Sequence, residues 1–180
     1  MARHRAHPRA ATLRTAPGKS PVARSSEPQA CVDTRARLIE AAGEEFAAHG
    51  FAEATVRGIC ERAGANIAAV NYYFRDKETL YLETLRHAHR YSLEHYPHDG
   101  GLKDDAPPEE KLRAFIRAFL GKILDPNRPG WHGRLISREM TEPTPAFTLL
   151  IEEGVRPQFG ALCAIVRKLA PTLKPDRVEA

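Results

Sequence analysis

Residues 55–74, which read TVRGICERAGANIAAVNYYF, constrain the fold more than any other stretch of this chain. Apolar residues recur at helical spacing on both sides of Gly64, which predicts two short amphipathic helices joined by a tight turn. Glycine suits such a turn because a Cβ atom resists a positive φ angle. Thr55 and Asn66 are suited to cap the two helices, the second of which begins at Ile67. The stretch therefore predicts a helix-turn-helix.

The remaining segments also show the periodicity of helices rather than of strands. Apolar residues follow the i, i+3, i+4, i+7 pattern, and no segment alternates with a period of two over a useful length. Glycine, proline and capping residues mark where the helices end, and Gly50 is suited to a left-handed cap that stops the first helix. We therefore predict an all-α protein. Besides the helices of the helix-turn-helix (56–63 and 67–73), the predicted helices are 34–48, 77 to about 95, 108–124, 131–140 and 146–169, the last interrupted by Gly154, Pro157 and Gly160.

The net charge of +4 is unevenly distributed along the chain. The first 30 residues carry six basic groups and one acidic group, whereas residues 33–96 carry eight basic and ten acidic groups. Net charge is therefore no argument for nucleic-acid binding, which must rest on where particular charges lie. The three cysteines, Cys31, Cys60 and Cys163, are far apart, which argues against a disulfide framework or a thiolate zinc site and favours a reducing cytoplasm.

Residues 1–32 are predicted to form a disordered basic tail. They are rich in Pro, Ala, Arg and Ser and have little apolar bulk, and Pro8, Pro17, Pro21 and Pro28 are expected to break any helix. The tail is interpreted either as a solubilising extension or as an arm for the DNA minor groove. Its composition also fits a transit-like peptide, although an amphipathic pattern is missing. The chain has neither a secretory signal nor an apolar run that could span a membrane, so we expect a cytoplasmic protein.

The segment RARLIEAAGEEFAAHGFAEATVRGICERAGANIAAVNYYFRDKETLY, residues 35–81, resembles the TetR family of bacterial transcription regulators. The resemblance rests on Phe46 with Gly50-Phe51, on Thr55, on Ala63-Gly64 and on the run YYFRDKE at residues 72–78. Residues 130–157 are similar to the CecR-like branch of that family. The resemblance implies a DNA-binding domain with a linking helix over residues 33–96 and a helical effector-binding and dimerisation domain over residues 97–180.

Carried over by position, the resemblance implies that the third helix enters the major groove of double-stranded operator DNA. Asn71 is the residue of that helix able to make a bidentate contact to adenine, and Ile67 and Ala68 can meet thymine methyl groups. Asn66 can be a cap as well as a base contact, and Lys77 can be a solvated lysine as well as a phosphate contact; Tyr73 and Phe74 are expected in the core. The predicted DNA-binding residues are Thr55, Val56, Arg57, Asn66, Ile67, Ala68, Asn71, Tyr72 and Lys77.

The resemblance also implies a cavity for a small amphipathic or aromatic effector in the second half. An apolar cavity with a few polar groups suits such a molecule. The alternative for each aromatic residue is a place in the core, and Arg134 and Arg138 can bind an anionic group or lie in solvent. The predicted effector-binding residues are Phe115, Phe119, Trp131, Arg134, Leu135, Arg138 and Phe147, with Met140 as a further lining residue and Glu139 as a further polar anchor.

The sequence thus predicts a transcriptional regulator, a repressor by the family's commoner habit, which an effector releases from its operator. Such a mechanism needs a homodimer, but the two last helices of the family look missing, so that either the chain is truncated or it dimerises through other surfaces. The alternative is a truncated regulator acting as an interaction module without DNA binding.

An enzyme, a cofactor and a metal site are not expected. His132 and Ser137 lack a nucleophile elbow, and of His87, His89, His95 and His98 only the last two are suitably spaced to bind a metal, next to a disruptive Pro97.

Overall fold

The computed structural model describes the backbone of residues 27–172 and the side chains of residues 33–172. These residues form helices and loops without a strand, which confirms the predicted all-α class. None of the helices within 27–172 is both long enough and apolar enough to cross a bilayer. The basic residues of the predicted tail lie outside the described residues. In chain order the elements are α1 (Glu27–Glu53), α2 (Val56–Ala63), α3 (Ile67–Phe74), α4 (Lys77–His95), α5 (Pro108–Leu124), α6 (Gly130–Thr141), α7 (Phe147–Leu149), a π-helical turn (Leu150–Val155) and α8 (Arg156–Leu169).

Helix α1 is longer at both ends than the predicted helix over residues 34–48, and it includes residues 27–32, which were wrongly predicted to belong to the disordered tail. It begins at Glu27, which Pro28 permits because the first turn of a helix does not need the N–H that proline lacks. Near its other end Gly50 has a φ of 78° and a ψ of 171°, and the helix resumes briefly to Glu53. The predicted interruption at Gly50 is therefore present. Its ψ angle is extended, however, so Gly50 is not the left-handed helical cap that we predicted.

Capping residues begin each of the next three helices where the sequence predicts them. The side-chain oxygens of Thr55, Asn66 and Asp76 each accept a hydrogen bond from the backbone N–H three residues later, at 3.0, 2.9 and 2.8 Å. The bonds from Thr79 stabilise the ionised carboxylate and hold the pKa of Asp76 at about 2, below its usual 3.8. Gly64 ends α2 in the left-handed region, at φ 59° and ψ 39°, as its place in the turn predicts.

The hydrophobic core is shared by the two halves of the chain. Helix α1 packs against α2 and α4 and also against α6 from the second half. The ring of Phe46 meets the edge of Tyr81 on α4 at a centroid distance of 4.8 Å, while Trp131 and Leu135 of α6 are buried in the same cluster. The helix-turn-helix and α6 therefore share one continuous packed core.

The second half contains the predicted helices with one unexpected feature. The interruption predicted between residues 146 and 169 takes the form of the π-helical turn Leu150–Val155, and α8 follows with Pro157 in its first turn. Helix α8 packs on α5, which buries Phe115 and Ala118. The opposite side of α5 leaves several large apolar side chains exposed, and we call this set the α5 stripe. It consists of Ile116, Phe119, Leu120, Ile123 and Leu124.

Candidate DNA-binding surface

Helix α3 presents a solvent-facing side at the end of the helix-turn-helix. Ala68 and Asn71 are exposed, and Ile67 and Tyr72 expose 52% and 78% of their surface. The other side of the helix is anchored because Val70 and Phe74 are buried in the core. The helix thus has the accessible side that groove binding requires.

The two capping side chains at this surface are committed to their own helices. Thr55 Oγ1 accepts from Gly58 N, and Asn66 Oδ1 accepts from Ala69 N. The capping role of Asn66, which the sequence left open against base contact, is therefore confirmed. Its side-chain oxygen is used in the cap, so the amide Nδ2 is the donor it has for a ligand. Each cap also fixes the direction in which the N-terminal end of its helix points.

Lys77 does not behave as an ordinary solvated lysine. Its Nζ donates to the backbone oxygen of Ala52 at 3.1 Å and lies 4.8 Å from the centre of the Phe51 ring. It therefore satisfies a carbonyl at the end of α1 and adds a cation–π contact to the aromatic ring beside it. This ammonium joins the start of α4 to the end of α1, a role that sequence reasoning missed. An ammonium carries three protons, so a phosphate contact is compatible with this position.

Most basic side chains around the helix-turn-helix are paired with carboxylates. Arg57 on α2 pairs with Glu61 at 2.9 Å, and Arg75 pairs with Asp76 at 3.0 Å. Arg62 reaches both Glu44 and Glu45, and Arg35 joins α1 to α4 through Glu83 at 2.7 Å. Arg37 contacts the hydroxyl of Thr34 instead of a carboxylate. A polyanion at this surface must therefore compete with the protein's own acids for most of these cations.

The end of α3 has a strained backbone. Arg75 has a φ of 69° although it is not a glycine, and its N–H donates to the oxygen of Asn71 at 3.1 Å. A non-glycine residue with positive φ costs free energy and is kept where the surrounding structure requires it. The conformation lets α4 start immediately after α3. The guanidinium of Arg75, 87% exposed, stands next to the exposed side of α3.

The predicted effector-binding residues do not meet in one cavity of the described chain. Trp131 and Leu135 are buried against α1 and α4, so they are core residues, while Phe119 is exposed on the α5 stripe. Arg134 is exposed, and Arg138 lies beside Gly50 with its Nε 3.4 Å from Glu142. Of the remaining two residues, Phe115 is buried on α5 and Phe147 is half-buried on α7. Of the two further residues, Met140 is exposed and Glu139 is buried.

Glu139 belongs to a closed network. One carboxylate oxygen accepts the hydroxyl of Tyr81 at 2.5 Å, and the other accepts both the N–H and the hydroxyl of Thr144, at 2.8 and 2.9 Å. Burial, together with the bond to this carboxylate, raises the pKa of Tyr81 far above its ordinary value. Because both oxygens are taken, Glu139 is a link between α4 and α6 and not the open polar anchor that we predicted.

A cleft of about 600 Å³ lies between the end of α4 and α5, and sequence reasoning missed it. Its size is in the range of small-molecule sites. The walls combine apolar and charged groups, and none of the predicted effector-binding residues is among them. The lining residues are His95, Tyr96, Pro97, Gly100, Leu102, Glu110, Arg113, Ala114, Arg117 and Ala118.

Two parts of the chain match described families. Residues 38–84 match bacterial regulatory proteins of the tetR family, and residues 108–178 match the C-terminal domain of the HTH-type transcriptional dual regulator CecR. The chain is 32% identical over 138 residues to CecR of Shigella flexneri, covering 72% of this chain and 61% of CecR. It is 30% identical over 139 residues to the HTH-type transcriptional regulator BetI of Burkholderia thailandensis, covering 76% of this chain and 69% of BetI.

A further relative is the HTH-type transcriptional repressor AcnR of Corynebacterium efficiens, 31% identical over 100 residues, or 56% of this chain and 46% of AcnR. The chain thus spans about three-fifths of CecR and under half of AcnR. Among solved structures, a transcriptional regulator of Pseudomonas aeruginosa PAO1 has a TM-score of 0.62 at 23% identity, covering 76% of this chain and 65% of the other. An HlyIIR mutant has a TM-score of 0.61 at 20% identity, covering 82% and 79%. At these identities the likeness concerns the fold.

Proposed function

Because this chain belongs to the TetR family of transcriptional regulators, we propose that it binds double-stranded operator DNA in the cytoplasm and represses transcription until a small molecule releases it. The observation that carries the proposal is the solvent-facing side of α3, where Ile67, Ala68 and Asn71 are all exposed. A rod of this width fits the major groove, which is about 12 Å wide. Burial of these three residues would have excluded the proposal.

The base contacts are assigned by the chemistry of the exposed side chains. The carboxamide of Asn71 can accept from N6 and donate to N7 of one adenine, a bidentate pair that other bases do not offer. Ile67 and Ala68 can pack against thymine methyl groups but offer no side-chain hydrogen bond. Recognition by this helix is therefore expected to be apolar with one polar anchor, and the anchor is Asn71.

The phosphate contacts are assigned to groups that flank α3. The hydroxyl of Tyr72, the ammonium of Lys77 and the α2 segment Thr55, Val56 and Arg57 lie on or beside the exposed surface. Arg57 must leave Glu61 to bind a phosphate, an exchange that an exposed pair allows at little cost. Backbone N–H groups at the start of a helix add a site for an anion. These contacts position the protein without reading sequence.

Operator recognition is proposed to use a homodimer. Two recognition helices that share a two-fold axis read half-sites about one helical turn, or 34–36 Å, apart. The α5 stripe supports the assignment because its five large apolar side chains lie near one another on α5 and remain exposed to solvent in the single chain. We therefore propose that the stripe contributes to the contact between two copies.

Release by the effector is proposed to act through α4. This helix starts beside α3, and its far end forms one wall of the 600 Å³ cleft. It is tied to the second half by the Tyr81–Glu139 bond and by the pair between Arg86 and Glu153 at 3.1 Å. A small amphipathic or aromatic molecule in the cleft, with Arg113 and Arg117 available to an anionic group, would favour one position of α4 over another. The separation of the two recognition helices would follow.

The test is selection of binding sites from random duplex DNA, followed by fluorescence anisotropy with the selected site over a series of salt concentrations. We expect Asn71→Ala to weaken binding to the selected site by about 1–3 kcal/mol and to relax the preference for adenine at one base pair. The matched control is Asn127→Ala, an exposed asparagine in the loop before α6, which should leave affinity and preference unchanged.

Two results would contradict the proposal. The first is a failure of the unaltered protein to enrich any sequence, which would leave only non-specific attraction to phosphates. The second is an Asn71→Ala variant that selects the same sequence with the same affinity. An operator reporter then separates repression from activation, since a repressor lowers expression when its operator is present.

A further inference from the structure

Three side chains able to bind a metal meet where α1, α4 and α6 pack together. Glu40 comes from α1, His87 from α4 and His132 from α6, and one ligand atom of each lies within 4.8 Å of the other two. These residues are far apart in the sequence, and only the packing of the three helices brings them together. From the sequence, His87 was compared only with the next histidines in the chain, and no metal site was therefore predicted.

His132 is the unusual member of this cluster. Its side chain is fully buried, and neither Nδ1 nor Nε2 has a hydrogen-bond partner among the described residues. A neutral imidazole always carries one donor and one acceptor, and burying both unpaired is unfavourable. The rings of Trp131 and Tyr91 meet it edge-on, at centroid distances of 4.1 and 4.9 Å, and fix its orientation. A buried imidazole with two unused nitrogens has the chemistry of a ligand.

The other two side chains are already held in a suitable arrangement. Trp131 Nε1 donates to Glu40 Oε2 at 2.9 Å, so that Oε1 is the oxygen directed at His87, whose Nε2 is 3.4 Å away. Ligand atoms about 3.4 Å apart are what bonds of about 2.0–2.1 Å in a tetrahedral site require. The indole thus acts as the second-layer donor that metal-binding carboxylates have. The side chains of Glu40 and His87 are about half exposed, at 50% and 39%, so they can move to close the site on an ion.

We propose that Glu40, His87 and His132 bind one divalent transition-metal ion, with zinc as the expected ion. Two imidazoles and one carboxylate are borderline ligands that suit zinc and its neighbours, whereas calcium and magnesium prefer oxygen ligands alone. The exposure of Glu40 and His87 leaves room for water in the remaining coordination positions. The ion would join α1 of the helix-turn-helix to α4 and α6. This assignment does not depend on DNA binding.

The experiment uses the full chain, freed of metal with a chelator and titrated with zinc chloride by calorimetry. A second readout is the fluorescence of Trp131, the only tryptophan of the chain, whose ring touches His132. Cobalt(II) or nickel(II) bound at the cluster should quench this fluorescence, and zinc should prevent the quenching. The variants are His87→Gln and Glu40→Gln, whose exposed positions allow folding, and the control is His95→Gln on α4. Circular dichroism checks that each variant is folded.

We expect one zinc ion per chain, with affinity reduced at least about tenfold in His87→Gln and in Glu40→Gln and unchanged in His95→Gln. The thermal midpoint of the unaltered protein should also rise with zinc concentration, because an ion that binds only the folded state stabilises it. Absence of saturable zinc binding overturns the proposal. It is equally overturned if both ligand variants bind zinc as the unaltered protein does, or if His95→Gln loses as much affinity as they do.

Discussion

At Gly50 the chain turns from α1 towards α2 with a φ of 78°, next to the guanidinium of Arg138 on α6. A Cβ atom added there would lie 2.8 Å from Arg138 Nε. Two independent reasons therefore favour glycine at this position: the backbone conformation, which residues with a side chain rarely adopt, and the close approach of the Arg138 side chain from the other half of the chain. Sequence alone indicated the first reason.

We predict that Gly50→Ala lowers the free energy of unfolding by about 1–3 kcal/mol, because the alanine must adopt the strained conformation and displace Arg138. Urea unfolding measures the change. Gly160→Ala is the matched control. Gly160 lies within α8 with open space around it, so an alanine there should stabilise the protein by about 0.5–1 kcal/mol. Equal effects of the two substitutions would contradict the argument.

Several side chains that look like DNA contacts also have a structural role. Thr55 and Asn66 cap helices, Lys77 holds the end of α1, and Arg57 pairs with Glu61. A substitution at any of them therefore changes the fold and the surface together. The side chain of Asn71 makes no hydrogen bond to another described residue. Its substitution therefore tests base recognition with the least effect on the fold.

Among the elements, α4 contacts the second half at several points along its length. Its first half packs on α1 and α3, and its buried Tyr81 reaches Glu139 on α6. Further along, Arg86 binds Glu153 in the π-helical turn, and burial lowers the pKa of His89, which lies beside Gly154 of the same turn. A change in the second half therefore has direct contacts through which to move α4.

We predict that Tyr81→Phe destabilises the protein by about 1–3 kcal/mol, because it leaves one oxygen of the buried Glu139 carboxylate without a donor. The measurement is the midpoint of urea unfolding, followed by circular dichroism. Tyr72→Phe is the control, since that hydroxyl is on the exposed side of α3. A Tyr81→Phe protein as stable as the control would show that water or another group replaces the hydroxyl without cost.

Considered as a whole, the molecule has two distinctive surfaces. Ion pairs surround the helix-turn-helix, and the α5 stripe leaves apolar side chains in solvent. The first arrangement implies that binding to DNA exchanges internal ion pairs for phosphate contacts, and the number of phosphates contacted sets how strongly added salt lowers the affinity. The second implies association with another apolar surface. The two surfaces lie on different helices, so a substitution can target association without replacing a residue assigned to DNA contact.

We predict that Ile123→Glu, within the α5 stripe, converts the proposed dimer into a monomer, because it places a charge in an apolar contact. Size-exclusion chromatography with light scattering gives the mass. The control is Met140→Glu on α6, which replaces an equally exposed apolar side chain outside the stripe. If the unaltered protein is already a monomer, or if Ile123→Glu keeps the dimer, the stripe is not the contact.

Local signals in the sequence predict most of the helix ends correctly. The starts of α2, α3 and α4 at their caps, the turn at Gly64 and the bounds of α5 were all predicted, because caps and periodicity act through contacts within a few residues. The exposed side of α3 was predictable for the same reason, since spacing decides which residues share a helical face. The start of α1 was missed because Pro28 was taken as a helix breaker, although a first turn tolerates it.

Which side chains meet across the chain depends on how the helices pack together. The engagement of Lys77 with Ala52, the burial of Trp131 on α1, the closed network of Glu139 and the meeting of Glu40, His87 and His132 all join residues from different helices. The same packing separated the predicted effector residues, burying some in the core and leaving others in solvent. Such contacts depend on how helices pack, which is a property of the whole core and is not encoded within any one segment.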